Sequence, residues 1–157
     1  MHITSSAFQE GKPIPKKYAY NGVAGGKNIS LPFKWTDVPP ETKSLALSIV
    51  DPHPVAKHWV HWFVINIPSS VEEIKEGASR HTMPDVSLEL YNTYGSIGYG
   101  GPEPPSGSGE HPYVTTLYAL NVSMLTLPER STLQSFNKVI EGKVIATTKI
   151  TGTYERK

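Results

Sequence analysis

Two apolar runs flank a short polar turn in Ser44-Leu45-Ala46-Leu47-Ser48-Ile49-Val50-Asp51-Pro52-His53-Pro54-Val55-Ala56-Lys57-His58-Trp59-Val60-His61-Trp62-Phe63-Val64-Ile65-Asn66-Ile67-Pro68. The first run, 44–50, is almost continuously apolar, as a central strand covered on both faces would be. The second, 58–67, reads the same way. An extended chain with a period of two would put Trp59, His61, Phe63 and Ile65 on one face and His58, Val60, Trp62 and Val64 on the other.

Working outward, Ile29 to Thr36 alternates apolar and polar residues, which predicts a strand with one face on a core. Pro32 lacks a backbone donor, so this strand is expected at a sheet edge or with an irregular start. Val114–Val122 and Ile145–Tyr154 are two further strand candidates, and Asn21-Gly22 and Gly25-Gly26 are turn material. Helical signals are few. Ser69 to Ile74 offers a serine cap with early acids and stops by Gly77. Ser131 to Val139 places Leu133, Phe136, Val139 and Ile140 on one stripe, with Ser131 as the expected cap and Gly142 as the stop. The expectation is a mainly β protein with about two short helices, in a single domain over residues 1–157.

The 157 residues include no cysteine, which removes disulfides, thiolate zinc sites and cysteine nucleophiles. Fifteen Lys and Arg against fourteen Asp and Glu give a net charge of +1, without the clustered basic charge that a nucleic-acid surface needs. No run approaches eighteen apolar residues, so no integral membrane contact is expected. The start, Met1-His2-Ile3-Thr4-Ser5-Ser6, shows no basic segment followed by an apolar stretch, so the expected location is cytoplasmic.

Tyr94 to Tyr113 holds six Gly and four Pro among twenty residues. Flexible linkers seldom carry so many prolines and aromatics, and the mixture predicts a rigid loop that lines something. Asp51, His61 and His111 all lie where a loop enters or leaves a buried run. Imidazole becomes cationic near neutral pH, and a neighbouring carboxylate selects its tautomer. One aspartate, two histidines, a tyrosine (Tyr99 or Tyr113) and loop amides would together suit a phosphate or carboxylate. A satisfied core histidine is the other reading of His61. No metal is expected, because His58 and His61 point to opposite faces of an extended strand. The Gly-rich stretch fits neither G-x-G-x-x-G nor a P-loop. No G-x-S-x-G occurs, although a Ser-His-Asp arrangement can form in space whatever its order in the chain.

Two blocks carry a resemblance. Asp51-Pro52-His53-Pro54, followed by His58-Trp59-Val60-His61-Trp62-Phe63-Val64-Ile65-Asn66-Ile67-Pro68, is similar to D-P-D-A-P…H-W…N-I-P. Tyr99-Gly100-Gly101-Pro102-Glu103-Pro104-Pro105-Ser106-Gly107-Ser108-Gly109-Glu110-His111-Pro112-Tyr113 is similar to Y-x-G-P-x-P-P-x-G-x-G-x-H-R-Y. With their order, their spacing and the ending Thr151-Gly152-Thr153-Tyr154, the chain resembles the phosphatidylethanolamine-binding protein family, in its shorter bacterial and archaeal branch of Raf kinase inhibitor-like proteins. The resemblance implies a β-sandwich of a large and a small sheet, with a small anion pocket at one end. Carried over residue by residue, the pocket is lined by Asp51, Trp59, His61, Gly101, Pro105, His111 and Tyr113. Its implied ligands are phosphate-like groups, either phospholipid head groups or phosphorylated residues, with no cofactor and no catalysis. Serine protease inhibition is a second function that the resemblance carries, with a peptidase or a kinase as partner. A hydrolase using a His/Asp pair is a third reading. Three departures stand out: His53 replaces the second acid, Pro112 replaces the Arg of H-R-Y, and no helix follows the last strand. An open pocket edge raises the expectation of a homodimer.

Overall fold

The computed structural model describes residues 1–157. Eight strands form two antiparallel sheets. The smaller contains β1 (His2–Thr4), β2 (Phe33–Thr36) and β5 (Glu73–Ile74) in the order β1-β2-β5. The larger contains β3 (Ser44–Asp51), β4 (Trp59–Pro68), β6 (Leu88–Glu89), β7 (Glu110–Leu120) and β8 (Val144–Glu155) in the order β6-β4-β3-β7-β8. The continuously apolar run has become the central strand β3, buried along nearly its whole length, because both of its faces meet packed side chains. Both sheets feed one cluster, with Ile3, Phe33 and Trp35 from the small sheet and Leu45, Leu47, Trp62 and Val64 from the large.

The single α-helix, α1 (Leu133–Ile140), lies on the opposite face of the large sheet and buries Phe136 and Ile140 against Phe63, Ile65 and Val60. Its cap is Thr132, one residue later than expected. The Thr132 side chain accepts from the Ser135 N–H, and Ser135 reaches back to the Thr132 N–H. The second expected helix does not form. Residues 69–77 instead make a turn and the short strand β5, which pairs with β2 through Phe33–Ile74 and Lys34–Glu73. One turn of helix there would bury little, whereas pairing with β2 seats Ile74 in the core. A single 3-10 turn occupies Lys16–Tyr18. Pro32 marks an irregular start, since β2 begins one residue after it and is the middle strand of its sheet.

The expected face pattern of β4 is also corrected. Ile49 lies opposite Trp62 but Val50 lies opposite Val60, so His61 is an extra residue on β4. A second extra residue falls between the Leu45–Ile67 and Leu47–Val64 pairs, at Asn66, whose φ is +58°. Each bulge inverts the alternation. Val60, Phe63 and Ile65 therefore face α1, while Trp62, Val64 and Ile67 face the core between the sheets.

Candidate functional site

The bulge at His61 builds one wall of the site. The His61 backbone carbonyl accepts from the Gly100 N–H at 2.8 Å, and its Nδ1 donates to the Gly100 carbonyl at 2.7 Å. One residue of β4 thus holds the Gly-rich segment twice. That segment is tied down along its length: the Tyr99 hydroxyl donates to the Tyr18 carbonyl, Tyr94 to the Gly101 carbonyl, and the Tyr20 N–H to the Pro102 carbonyl. The Gly101 N–H donates to Asn28 Oδ1 at 2.7 Å. A Cβ on Gly101 would collide with the Tyr18 carbonyl oxygen, so glycine is required there by a close backbone approach.

These segments enclose a cavity of about 370 Å³ near the end of β3 and the starts of β4 and β7, lined by Asp51, Trp59, His61, Tyr94, Pro105, His111 and Tyr113, with Val55, Ala56, Glu103 and Pro104 at its sides. Six of the seven expected residues share this space. The seventh, Gly101, lies behind it, with its N–H and carbonyl both engaged. The Gly100 and Gly101 amides are likewise committed to protein acceptors. Of the two expected tyrosines, Tyr99 is buried in the core and Tyr113 lines the cavity. Tyr94 and Glu103 were missed in the sequence. Their available signal was an aromatic and an acid inside a segment otherwise made of Gly, Pro and Ser.

Each polar group has a definite hydrogen-bonding state. His61 is 3% exposed, and burial pulls its pKa down to about 4; the Gly100 carbonyl, the Asp51 carboxylate and the Gly101 carbonyl pull weakly the other way. With Nδ1–H given to Gly100, neutral His61 keeps a bare Nε2 that has no protein partner. His111 is fully buried and has both nitrogens engaged. Nδ1 donates to Asp51 Oδ2 at 2.6 Å, and Nε2 lies 2.9 Å from Ser108 Oγ. Asp51 Oδ1 accepts from the His53 N–H at 2.9 Å. The His53 ring stacks on His111 at 3.8 Å, and its own Nδ1 accepts from the Val55 N–H. The Tyr113 hydroxyl makes no protein hydrogen bond, and burial pushes its pKa above the ordinary phenol value, so it is a neutral donor. Trp59 Nε1–H is buried without a partner. Tyr94 stacks on Tyr20 at 4.0 Å and meets Trp59 and His61 edge-on. No group of three or more His, Asp or Glu is placed as metal ligands. His58 lies just outside β4 and does not line this cavity.

The class this defines is a two-sheet β protein with a buried Asp–His pair flooring a small aromatic-walled cavity. The family model described as phosphatidylethanolamine-binding protein matches residues 4–155. A UPF0098 protein of Methanothermobacter thermautotrophicus is 39% identical, with 99% of each chain covered. Among solved structures, Escherichia coli YbcL aligns with a TM-score of 0.92 at 31% identity, covering 99% of this chain and 98% of its own. A phosphatidylethanolamine-binding protein homologue from Chlamydia trachomatis aligns with a TM-score of 0.84 at 38% identity, covering 99% and 97%. The chain belongs to the phosphatidylethanolamine-binding protein family.

Proposed function

We propose that the protein binds a small phosphate ester in this cavity, and that the cavity itself is a non-catalytic binding site. The observation that carries this reading is the convergence of four polar groups without protein partners on one rigid cavity: His61 Nε2, the Tyr113 hydroxyl, Trp59 Nε1–H and Glu103 Oε2. Of these, Trp59 Nε1–H and Glu103 Oε2 are fully buried, which is costly in a folded protein, and a ligand that satisfies them recovers that cost. The cavity lies at the small end of the range for ligand sites, which suits a head group and excludes an acyl chain.

The charge balance refines the ligand. Neither Lys nor Arg lines the cavity, and Glu103 adds a carboxylate. A bare phosphate dianion would meet a neutral acceptor at His61. Binding then requires a proton, either carried by the ester as its monoanion or taken up by His61 Nε2. A phosphate ester with its own ammonium group, such as phosphoethanolamine, also offers a partner to Glu103 and to the aromatic faces of Tyr94 and Trp59.

The test is an NMR titration of the histidine side chains with inorganic phosphate and with phosphoethanolamine between pH 5 and 8. The expected result is a selective shift at His61, affinity that rises as pH falls, tighter binding of phosphoethanolamine, and loss of binding in His61→Ala. Unmoved His61 resonances at millimolar ligand, or unchanged binding by the variant, would overturn the assignment.

A further inference from the structure

The phosphate reading leaves the buried Asp51–His111 pair without a task, because neither His111 nitrogen is free to meet a ligand in the cavity. The pair ends instead on a hydroxyl. Ser108 Oγ lies 2.9 Å from His111 Nε2, and His111 Nδ1 lies 2.6 Å from Asp51 Oδ2. We propose that Ser108 is a nucleophile activated by His111 and positioned through Asp51, and that it accepts acyl groups from small activated carboxylic esters.

Three features of the geometry support this. First, the proton has two resting places that need no heavy-atom movement. Ser108 Oγ is also 2.7 Å from the Pro105 carbonyl. When His111 is neutral, with Nδ1–H on Asp51, the serine hydroxyl can donate to Nε2. When His111 carries the second proton, Nε2–H donates to Oγ and the hydroxyl turns to Pro105. A general base needs both states within one framework. Second, the base is held in one tautomer and out of water. His111 is fully buried, Asp51 is 2% exposed, and the second carboxylate oxygen is fixed by the His53 N–H. The ring is further clamped by the stacked His53. Third, the hydroxyl is reachable. Ser108 is half-buried at the rim beside Pro105, outside the cavity proper. It lies between Gly107 and Gly109, and a Cβ built on either glycine meets nothing within 4 Å. The Gly109 N–H, next in the chain, donates to no protein acceptor and is available to an oxygen that gains charge.

The step balances as an acyl transfer. Oγ forms a bond to the acyl carbon as its proton passes to His111 Nε2. The bond from that carbon to the ester oxygen breaks, and the leaving alcohol takes the proton back from His111. Water then hydrolyses the acyl-serine and restores Ser108 with release of the carboxylic acid.

A fluorophosphonate is the probe. The Ser108 oxygen would displace fluoride from phosphorus and leave a stable adduct that intact-mass and peptide-mapping measurements locate. In the folded wild-type protein we expect one adduct at Ser108, none there in Ser108→Ala, and full labelling in Ser106→Ala. In Asp51→Asn, with its circular dichroism unchanged, the maximal labelling rate should fall by about 100-fold while the half-saturating concentration stays within about twofold. No adduct at Ser108 in the wild-type protein overturns the proposal. So does an undiminished labelling rate in folded Asp51→Asn, which would make the relay merely structural. The phosphate titration reads His61 and this labelling reads Ser108, so each reading can fail without the other.

Discussion

At the scale of the residue, His61 decides most of the cavity's chemistry. Its Nδ1–H is committed to Gly100, its ring is buried, and burial pulls its pKa down to about 4, against about 6.5 in an unfolded chain. Between those two values the unfolded chain binds the extra proton and the folded one does not, so stability rises with pH across that window. The contribution is fully present above about pH 6.5 and is lost as pH falls toward 4, and about 2.5 units correspond to roughly 3 kcal/mol. Denaturant titrations at pH 7 and pH 4.5 should show a steeper acid loss in the wild type than in His61→Gln, which has no titrating group there. Equal pH slopes would mean that His61 is charged in the fold. The same neutrality underlies the expected pH dependence of phosphate binding, since the proton needed between His61 Nε2 and the anion must come in on the ester or be taken up by Nε2.

At the scale of the element, β4 departs most from what periodicity predicts. A strict period of two would have placed His61 with Phe63 and Ile65 toward α1, and the bulge at His61 turns it to the cavity instead. Bulges re-aim side chains at sites in this way, and no residue type in 58–67 announces one. The second bulge has a visible clasp. Asn66, with φ +58°, accepts from the Leu125 N–H at 2.7 Å and donates to the Leu125 carbonyl at 3.2 Å. Asn66→Ala would leave both Leu125 groups buried and unpaired and put an alanine in the left-handed region. The expected loss is about 2–4 kcal/mol in chemical denaturation. A loss below about 0.5 kcal/mol would show that the bulge holds without its clasp. The failed helix at 69–77 belongs at this scale too. A serine cap and two acids are local preferences, and pairing with β2 outweighs them over so short a segment.

At the scale of the whole molecule, three stretches distant in sequence meet around the cavity: 18–28, 51–61 and 94–113. Gly101 lies where the first and last cross, with the Tyr18 carbonyl against its Cα and Asn28 on its N–H. Gly101→Ala must push those backbones apart. The expected effects are about 2–4 kcal/mol of destabilisation in a urea titration and weaker phosphate binding, because the Gly100 carbonyl that orients His61 moves as well. Unaltered stability and binding would show that the crossing has slack. No helix is long and apolar enough to cross a membrane.

The alternation of 29–36, the unbroken apolar run 44–50 and the strands near 114–122 and 145–154 were readable because hydrophobic period follows from which faces are buried. The gathering of Asp51, His61 and His111 was readable because rigid Gly/Pro loops beside apolar runs leave few other places for polar side chains to go. By itself, then, the sequence determined a β protein and the residue types available to its site. Tertiary structure alone decided that Gly101 stands behind the cavity, that Tyr94 and Glu103 line it, and that His111 faces Asp51 and Ser108. Those outcomes depend on strand register and on contacts across about sixty residues, such as Asp51 to His111. A one-residue bulge, invisible to local preference, turns His61 to the same cavity.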